Sequence, residues 1–403
     1  MDAKVFGAAM ASFRKKKKYT QTALAERLGV SNKTVSKWEN GQGYPDIVYL
    51  PMLAKLLDVT VDDLLSEKRR GITVAGTMLV DCVKSIDRFP PQGMLANISS
   101  VKRAVGGCAP NTATDLAVID NTLPISVIGC VGDDEDGRFL MSRMQKYGID
   151  ISKIRVLDRC DTSFSDVMSL PTGERTFFSF RGANERFSPD EIDMSSLSCS
   201  IFHIGYILLL DQFDAADAEY GTVMARFLHD LQERGIKTSV DVVSSSTGNY
   251  AETVLPVLPY TDYLIINEVE ICNAWDEEPR NADGTLNVDT IYRVMKKSMA
   301  RGVREKVVIH AKEAGFCLSS DGTFTKLGSL KIPKELIAGS VGAGDAFCAG
   351  CLYAIYNGYS DEEMLRFASA AAACNLFSEN SVDGMRSRKE IEKVEAQYER
   401  LPV

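Results

Sequence analysis

Histidine is scarce in this sequence, which has only three, at positions 203, 229 and 310. They lie far apart along the chain, and none belongs to a motif with the spacing of metal ligands. We therefore expect neither a histidine-based zinc site nor catalysis by histidine, and interpret the three side chains as ordinary core residues.

Long hydrophobic runs are also missing. The most apolar stretch, residues 201–210, falls well short of the roughly 18 residues that a membrane helix needs, and we predict a buried strand there. The N-terminal segment is not typical of a secretion signal, because its positive charges follow the apolar part instead of preceding it. We expect a cytoplasmic protein with no membrane attachment.

Paired cysteine motifs are rare, although ten cysteines are present. Cys348 and Cys351 form one C-x-x-C pair, which would need exposure or a second ligand pair to act in redox chemistry or zinc binding. Neither is evident, so burial in the core is the favoured interpretation of the pair.

Charge is divided unevenly along the 403 residues. Residues 1–70 carry 13 basic and 8 acidic side chains, a net charge of +5, whereas the other 333 residues carry 33 and 47, a net charge of −14. A basic segment joined to an acidic one indicates a polyanionic partner for the basic segment alone.

Two kinds of periodicity predict two domains. Apolar residues recur every three or four positions up to residue 65, with helix starts marked by Thr20, Ser31 and Asp46 and one helix end marked by Gly29. Further on, short apolar runs alternate with longer mixed segments, which is typical of βαβ units and a mostly parallel sheet. These runs are residues 72–76, 125–132, 200–207, 237–243, 263–268 and 306–311. We predict a helical domain at 1–66, a linker at 67–71 and an α/β domain at 72–403.

The segment "TQTALAERLGVSNKTVSKWENG", beginning at Thr20, has the pattern helix, glycine turn, helix. From Val5 to Leu65 the chain resembles the lambda-repressor-like (XRE, Cro/C1) helix-turn-helix family, which implies binding to double-stranded DNA, with a dimer reading two half-sites. The implied base-reading residues are Asn32, Lys33, Thr34 and Lys37, and the implied phosphate contacts are Gln21, Asn40 and the tip of the "RKKKK" run at 14–18. A solvated helix end is the alternative interpretation of that run.

The stretch "SVGAGDAFCAG", residues 340–350, places a carboxylate directly after two glycines at the start of a predicted helix. Unpaired N–H groups of Gly342, Ala343 and Gly344 can hold a phosphate there. Asp345 can then accept a hydroxyl proton beside the phosphoryl group. A glycine turn with a capping aspartate is the alternative.

Two further segments, "VGGCAPNTATDLA" from Val105 and "VIGCVGDDEDGRFL" from Val127, accompany this stretch in order. Together the three resemble both signatures of the PfkB/ribokinase family of sugar kinases, from about Ile72 onward. The resemblance implies a Rossmann-like αβα sandwich with a small β lid, and transfer of the ATP γ-phosphoryl group to a sugar hydroxyl with Mg²⁺.

The resemblance also implies roles for individual residues. Asp345 is the implied base, and Gly342, Ala343 and Gly344 form the implied anion hole. The implied substrate contacts are Asp81, Gly106, Gly107 and Asn111, with a turn residue and a helix N-cap as the alternatives for Asp81 and Asn111. The implied nucleotide and magnesium residues are Asn267, Glu270 (to Mg²⁺ through water), Lys312, Gly315 and Asn375, the last with a helix-closing role as its alternative.

A lid hairpin is predicted within residues 174–184, from which Arg175, Arg181 or Asn184 could reach a substrate. Two positions depart from the family pattern. Gly339 stands where an aspartate usually shapes a monovalent-cation site, which puts potassium activation in doubt. Lys312 stands where the nucleotide turn usually has glycine.

These features support an active kinase carrying a DNA-binding domain. A regulator that keeps the kinase fold only as a sensor is the alternative, favoured by the two departures. A kinase with a helix-turn-helix that no longer binds DNA is a third possibility, opposed by the complete motif and the +5 charge.

Overall fold

The computed structural model describes residues 3–65, 71–172, 174–244 and 249–403. The chain divides into two compact units, Met1–Arg69 and Arg70–Val403. Apart from Gly71, the predicted linker lies outside the described residues.

The first unit is all-helical, as predicted. Its elements are α1 (Ala3–Lys16), α2 (Gln21–Leu28), α3 (Asn32–Glu39), a 3-10 turn (Ile47–Tyr49), α4 (Leu50–Leu57) and α5 (Val61–Leu65). The predicted start and stop residues are confirmed. The side chains of Thr20 and Ser31 accept N-cap hydrogen bonds, Asp46 caps the 3-10 turn, and Gly29 ends α2 with a φ of 69°.

A small core holds this unit together. Leu24, Ala25, Val35 and Trp38 are buried where α2 and α3 meet. Gly7 of α1 lies so close to α3 that a Cβ there would be 2.2 Å from the carbonyl oxygen of Trp38, so no larger residue fits at this crossing.

The second unit is an α/β domain. Its strands are β1 (Ile72–Ala75), β2 (Leu79–Ile86), β3 (Ile98–Gly106), β4 (Ile125–Ile128), β5 (Cys130–Gly132), β6 (Arg155–Leu157), β7 (Phe164–Ser169), β8 (Arg175–Phe180), β9 (Ile201–Ile207), β10 (Ala216–Asp217), β11 (Gly221–Thr222), β12 (Lys237–Val242), β13 (Tyr263–Asn267), β14 (Lys306–His310), β15 (Ala314–Ser319) and β16 (Phe324–Gly328). Its helices are α6 (Cys108–Ile119), α7 (Glu135–Lys146), α8 (Asp211–Asp214), α9 (Val223–Glu233), α10 (Tyr250–Val254), α11 (Glu268–Ala274), α12 (Val288–Arg301), α13 (Ala343–Tyr356), α14 (Asp361–Asn375) and α15 (Arg388–Gln397).

The main sheet has eight strands in the order β16-β15-β14-β13-β12-β9-β1-β4. Strands β4, β1, β9, β12, β13 and β14 run parallel, and β15 and β16 add an antiparallel edge. Each of the six apolar runs predicted as strands contributes one strand to this parallel part, and the run at 125–132 also contains β5, which pairs with β6 in a separate sheet. The sheet separates two cores, because Ile265 packs with α6, α13 and α14 on one face while Leu264 and Ile266 pack with α9, α11 and α12 on the other.

A second sheet of four strands, in the order β3-β2-β7-β8, forms the lid. The prediction of a complete hairpin within 174–184 is wrong in its bounds. Only β8 lies there, its antiparallel partner β7 ends at Ser169, and Gly182–Arg186 is a 3-10 turn. Three of the four strands therefore lie outside the predicted segment.

The expectation that the three histidines are core residues is confirmed only for His203, because His229 and His310 are partly exposed. Cys348 and Cys351 are buried in the core, and none of the ten cysteines, all of which are described, forms a disulfide. No group of three or more His, Cys, Asp or Glu in the described part of the chain could hold a metal ion directly. Among the described helices, none has both the length and the hydropathy to cross a membrane.

Candidate functional site

The carboxylate of Asp345 lies in the first turn of α13, after a glycine that no other residue could replace. Gly342 has a φ of 78°, and a Cβ there would lie 2.6 Å from the carbonyl oxygen of Ser381. Ala343 and Gly344 then open the helix, where N–H groups lack an intrahelical acceptor. The prediction that all three N–H groups are unpaired is wrong for Ala343, whose N–H donates to the carbonyl of Ser340 at 3.3 Å. The local geometry is that of an anion site.

The loop that leads into α13 is held from behind by the end of α14. The N–H of Ala338 donates to the carbonyl of Leu376 at 2.8 Å. The side-chain amide of Asn375 donates to the carbonyl of Val341 at 2.9 Å. Asn375 was predicted to line a nucleotide pocket, but it is buried behind the loop, where it fixes the loop's position.

Asp345 is buried and receives two hydrogen bonds on one oxygen. Its Oδ2 accepts from Asn111 Nδ2 at 2.9 Å and from the hydroxyl of Tyr206 at 3.2 Å. Burial raises the pKa of Asp345 to about 6, and the two donors oppose that rise. The other oxygen, Oδ1, is left to accept a proton from a reacting group.

Tyr206, near the end of β9, was not found by sequence reasoning. Its φ of 63° is unusual for a residue with a side chain, and such strain is typical of functional sites. No sequence pattern predicts a tyrosine with a left-handed backbone conformation. The hydrogen bond from its hydroxyl to Asp345 becomes evident only in the fold.

Asn111 joins the anion loop to the lid side of the site. It lies within α6, whose N-cap is Gly107, so the helix N-cap interpretation is wrong. Its Oδ1 accepts from the hydroxyl of Ser381 at 3.0 Å, while its Nδ2 donates to Asp345. Asn111 therefore links the carboxylate of Asp345 to Ser381, whose backbone packs against Gly342.

Asp81 lies within β2, so its interpretation as a turn residue is also wrong. A Cβ on Gly106, in the neighbouring strand, would lie 2.4 Å from Asp81 Oδ2, and a Cβ on Gly107 would lie 2.4 Å from the carbonyl oxygen of Thr77. Burial, and then the charge of Asp345, raise the pKa of Asp81 to about 7, while Arg175 lowers it. The two glycines leave the space that lets Asp81 face Asp345.

Asn267 and Glu270 form a capping box at the start of α11. Each side chain accepts from the backbone N–H of the other, at 2.8 and 3.1 Å, and Ser244 donates to Glu270 Oε1 at 2.8 Å. Burial raises the pKa of Glu270 to about 7. Because both oxygens of Glu270 are already engaged, the pair fits a magnesium ion held through water better than one bound directly.

Asp241, at the end of β12, is a second residue that sequence reasoning missed. It is buried, and its pKa is raised well above the usual range by burial and then by the charges of Glu270 and Asp345. The carboxyl ends of parallel strands meet at one edge of the sheet, which is where these acids gather. Such a cluster is suited to a divalent cation and its water shell.

Beside the anion loop is a cavity of about 260 Å³, lined by His310, Lys312, Ser340, Phe347, Ala372 and Leu376 among others. Lys312 is exposed at its edge. Gly315 faces the other way, since a Cβ there would meet Leu365 at 3.2 Å and the ring of Phe347 at 3.4 Å. Lys312, which was predicted to contact the nucleotide, therefore lines this cavity. Gly315, predicted for the same role, packs behind the cavity wall instead.

Gly339 is packed tightly against the loop that follows α14. A Cβ at this position would lie 2.8 Å from the carbonyl oxygen of Ser378 and 3.3 Å from the Cα of Glu379. An aspartate does not fit there without movement of that backbone. The position at which the resemblance implies the aspartate of a monovalent-cation site is therefore closely packed.

Of the three lid candidates, only Arg175 reaches the open groove. Its guanidinium donates to the carbonyl of Glu379 at 3.3 Å. Arg181 pairs with Asp211 at 2.6 Å, and the buried Asn184 accepts from the N–H of Met78. Arg181 and Asn184 are therefore engaged in holding the fold.

In the helical unit, α3 presents an exposed polar surface. Lys33, Lys37 and Asn32 are exposed, although the amide of Asn32 donates to the hydroxyl of Thr22 at 3.0 Å. The hydroxyls of Thr34 and Ser31 are 2.8 Å apart. Gln21 differs from its predicted role, because its amide donates to Glu39, which also pairs with the buried Arg14 at 2.6 Å.

The predicted phosphate contacts are thus partly committed to internal interactions. Arg14, the first residue of the basic run, is buried, and Lys17 pairs with Asp58. The amide of Asn40 donates to Ser36 at 3.3 Å. The lysines of α3 are the basic side chains of this surface best placed to meet DNA.

Comparisons with known proteins agree with both units. A family model described as pfkB family carbohydrate kinase matches residues 69–388, and a helix-turn-helix model matches residues 10–64. A ribokinase of Arabidopsis thaliana is 24% identical over 80% of each chain. A 5-dehydro-2-deoxygluconokinase of Shouchella clausii is 25% identical over 74% of this chain and 89% of its own.

Solved structures show the same fold. The Arabidopsis thaliana ribokinase complexed with ribose and ATP aligns with a TM-score of 0.68 at 20% identity, covering 81% of this chain and 98% of its own. An E. coli structure in complex with ATP and Mg²⁺ aligns with a TM-score of 0.65 at 19% identity, with the same two coverages.

Proposed function

We propose that this chain, which belongs to the pfkB family of carbohydrate kinases, transfers the γ-phosphoryl group of ATP to a hydroxyl of a sugar or sugar-like substrate and also binds DNA sequence-specifically. The observation that carries the kinase activity is the buried Asp345 at the start of α13, with two donors on one oxygen and the other oxygen free.

In this proposal Asp345 Oδ1 accepts the proton of the substrate hydroxyl. The N–H groups at Gly342, Ala343 and Gly344 hold the charge that develops on the transferred phosphoryl group. Asp81 and Asn111 orient the substrate hydroxyls, and Gly106 and Gly107 allow the close approach that this requires. A pKa of about 6 leaves Asp345 mostly ionised at neutral pH, as a base must be.

ATP supplies the phosphoryl group, and Mg²⁺ neutralises its phosphates. The adenine side of the nucleotide is proposed to occupy the cavity beside His310, with Lys312 at its edge near the phosphates. Glu270 and Asn267, supported by Ser244, hold the water shell of the metal ion, and Asp241 adds charge to the same region. No monovalent-cation site of the family's type is proposed, because Gly339 is closely packed.

The helix-turn-helix is proposed to place α3 in the major groove. Lys33, Lys37, Asn32 and Thr34 lie on this helix or at its start, and lysine and asparagine can donate to the N7 and O6 acceptors of bases. Because one such unit binds weakly, we propose a homodimer that reads two half-sites. ATP and DNA as partners place the protein in the cytoplasm.

The outer face of the lid offers a surface for such a dimer. Val101, Phe178 and Phe180 are 60%, 51% and 41% exposed there, and Phe89 stacks on Phe178 at 6.5 Å. An apolar patch of this kind on a chain with a net charge of −9 is typical of a protein–protein contact.

The decisive experiment is ADP release with ATP and Mg²⁺ across ketoses, aldoses, sugar acids and nucleosides, with Asp345→Asn as the control. Turnover of one compound, lost at least a thousandfold in Asp345→Asn while substrate binding persists, is the expected result. Substrate binding without any turnover would instead favour a regulator that uses the kinase fold as a sensor.

A further inference from the structure

A groove of about 1,160 Å³ lies between the inner face of the lid and the loops that surround the anion site. Asp81, Val83, Lys102 and Arg175 share this face, because strand register pairs Asp81 with Ala104, Val83 with Lys102, and Ser169 with Arg175. The opposite wall is formed by residues 338–341 and 377–383. The groove is therefore an extension of the site that contains Asp81 and Asp345.

The charged side chains that line this groove are mostly basic, whereas the domain as a whole is acidic. Its basic lining residues are Lys102, Arg103, Arg143 and Arg175, and its acidic ones are Glu379 and Asp383. By contrast, the chain beyond residue 70 has a net charge of −14. A basic groove on an acidic domain concentrates anions at that place.

Two of these cations already have carboxylate partners. Lys102 pairs with Glu379 at 2.7 Å, and Arg103 pairs with Glu135 at 2.9 Å and also with Asp136. In the described structure, Arg143 and Arg175 form no ion pair with a carboxylate, although most arginines of this domain do. Among its described residues the groove therefore retains two guanidinium groups without a carboxylate partner, of which Arg175 gives one long hydrogen bond to the carbonyl of Glu379.

Arg175 is the better placed of the two. Its backbone is four residues along the lid from the position of Asp81, which is roughly 13 Å of strand. It is also two strands away, on β8, and its half-buried side chain lies on the same face of the lid as Asp81.

We propose that the substrate is a sugar bearing an anionic group, with Arg175 holding that group while Asp345 faces the hydroxyl to be phosphorylated. The inference rests on the proposed kinase function and specifies its substrate class. A planar guanidinium suits both carboxylates and phosphates, because it donates two parallel hydrogen bonds. Arg143, held over the ring of Phe139 at 5.8 Å, adds positive charge at the entrance.

The test compares matched pairs that differ in the anionic group: D-glucuronate with D-glucose, D-gluconate with D-glucitol, and ribose 1-phosphate with ribose. ADP release and calorimetric binding are measured for the full chain and for Arg175→Met, Arg175→Lys and the exposed control Arg234→Met. The expected result is that an anionic member is preferred, with a KM about tenfold to a hundredfold higher in Arg175→Met. Arg175→Lys should lose less, and Arg234→Met should match the wild type.

The outcomes separate this inference from the kinase proposal. Efficient turnover of neutral sugars with no gain from the anionic group overturns the inference and leaves the kinase intact. Calorimetric binding of an anionic sugar that depends on Arg175, without ADP release, supports the inference and overturns the kinase. Failure of every anionic sugar to bind, or binding that is equal in Arg175→Met, also overturns the inference. The pair that responds shows whether the group is a carboxylate or a phosphate.

Discussion

Replacing Tyr206 with phenylalanine removes one hydrogen bond from the proposed base and nothing else from its surroundings. The hydroxyl donates to Asp345 Oδ2 at 3.2 Å, which is long for this kind of bond. A hydrogen bond to a charged group contributes about 1.5–3 kcal/mol, so the lower end of that range applies. Because about 1.4 kcal/mol corresponds to one pKa unit, the pKa of Asp345 should rise from about 6 to roughly 7.

The consequence is a displaced pH profile. The acid limb of kcat/KM should move up by roughly one pH unit in Tyr206→Phe, giving a loss of about fivefold at pH 6 and almost none at pH 8. Tyr353→Phe is the matched control, because it alters a buried tyrosine in the last turn of α13, the helix that carries Asp345. This variant should leave the acid limb in place. ADP release between pH 5 and pH 9 measures both. An unmoved acid limb, or an equal loss at every pH, would refute the role assigned to Tyr206.

Three other expectations follow from single positions. Gly342→Ala should lower the free energy of unfolding by about 1–2 kcal/mol because of its left-handed backbone, and by more because of the contact with Ser381, and it should abolish turnover. Gly148 has a similar φ of 75° in open space, so Gly148→Ala should lower the free energy of unfolding only by the backbone contribution. Replacing potassium by sodium should change kcat less than twofold because Gly339 leaves no space for the aspartate of the family's cation site, and a tenfold dependence would contradict this. Lys33→Ala should relax sequence preference at one base position by about 1–3 kcal/mol in a DNA-binding titration, unlike the exposed Lys55→Ala in α4, and unchanged selectivity would count against the docking of α3.

Sequence reasoning located the parts of the site that are local in the chain. The glycines before α13, Asp345 itself and the caps of α2 and α3 follow from residue chemistry over a few positions, and the structure has all of them. The parallel strands were also predictable, because strands buried on both faces are continuous apolar runs.

The remaining features depend on contacts between distant segments. Tyr206 and Asp345 are 139 positions apart, and Ser381 meets Asn111 across 270 positions. The lid strands β2 and β3 were not predicted. One face of this sheet is exposed, so these strands mix polar and apolar residues and contain no continuous apolar run. Asn267 and Glu270 illustrate the converse, since one motif forms a helix cap and is also the proposed site for metal-bound water.

The cluster of buried acids gives this site a high affinity for protons. Asp81, Asp241, Glu270 and Asp345 all have a raised pKa, so the folded chain binds protons more tightly than the unfolded chain does. Stability from these groups is therefore present in full at low pH and is lost as pH rises from about 4 through about 7. A cation that favours the ionised forms must expel those protons, and their number can be counted from the buffer dependence of the heat of binding. Protons bound by the ligand-free protein would thus compete with magnesium, so mild acidity should stabilise the fold and slow the reaction.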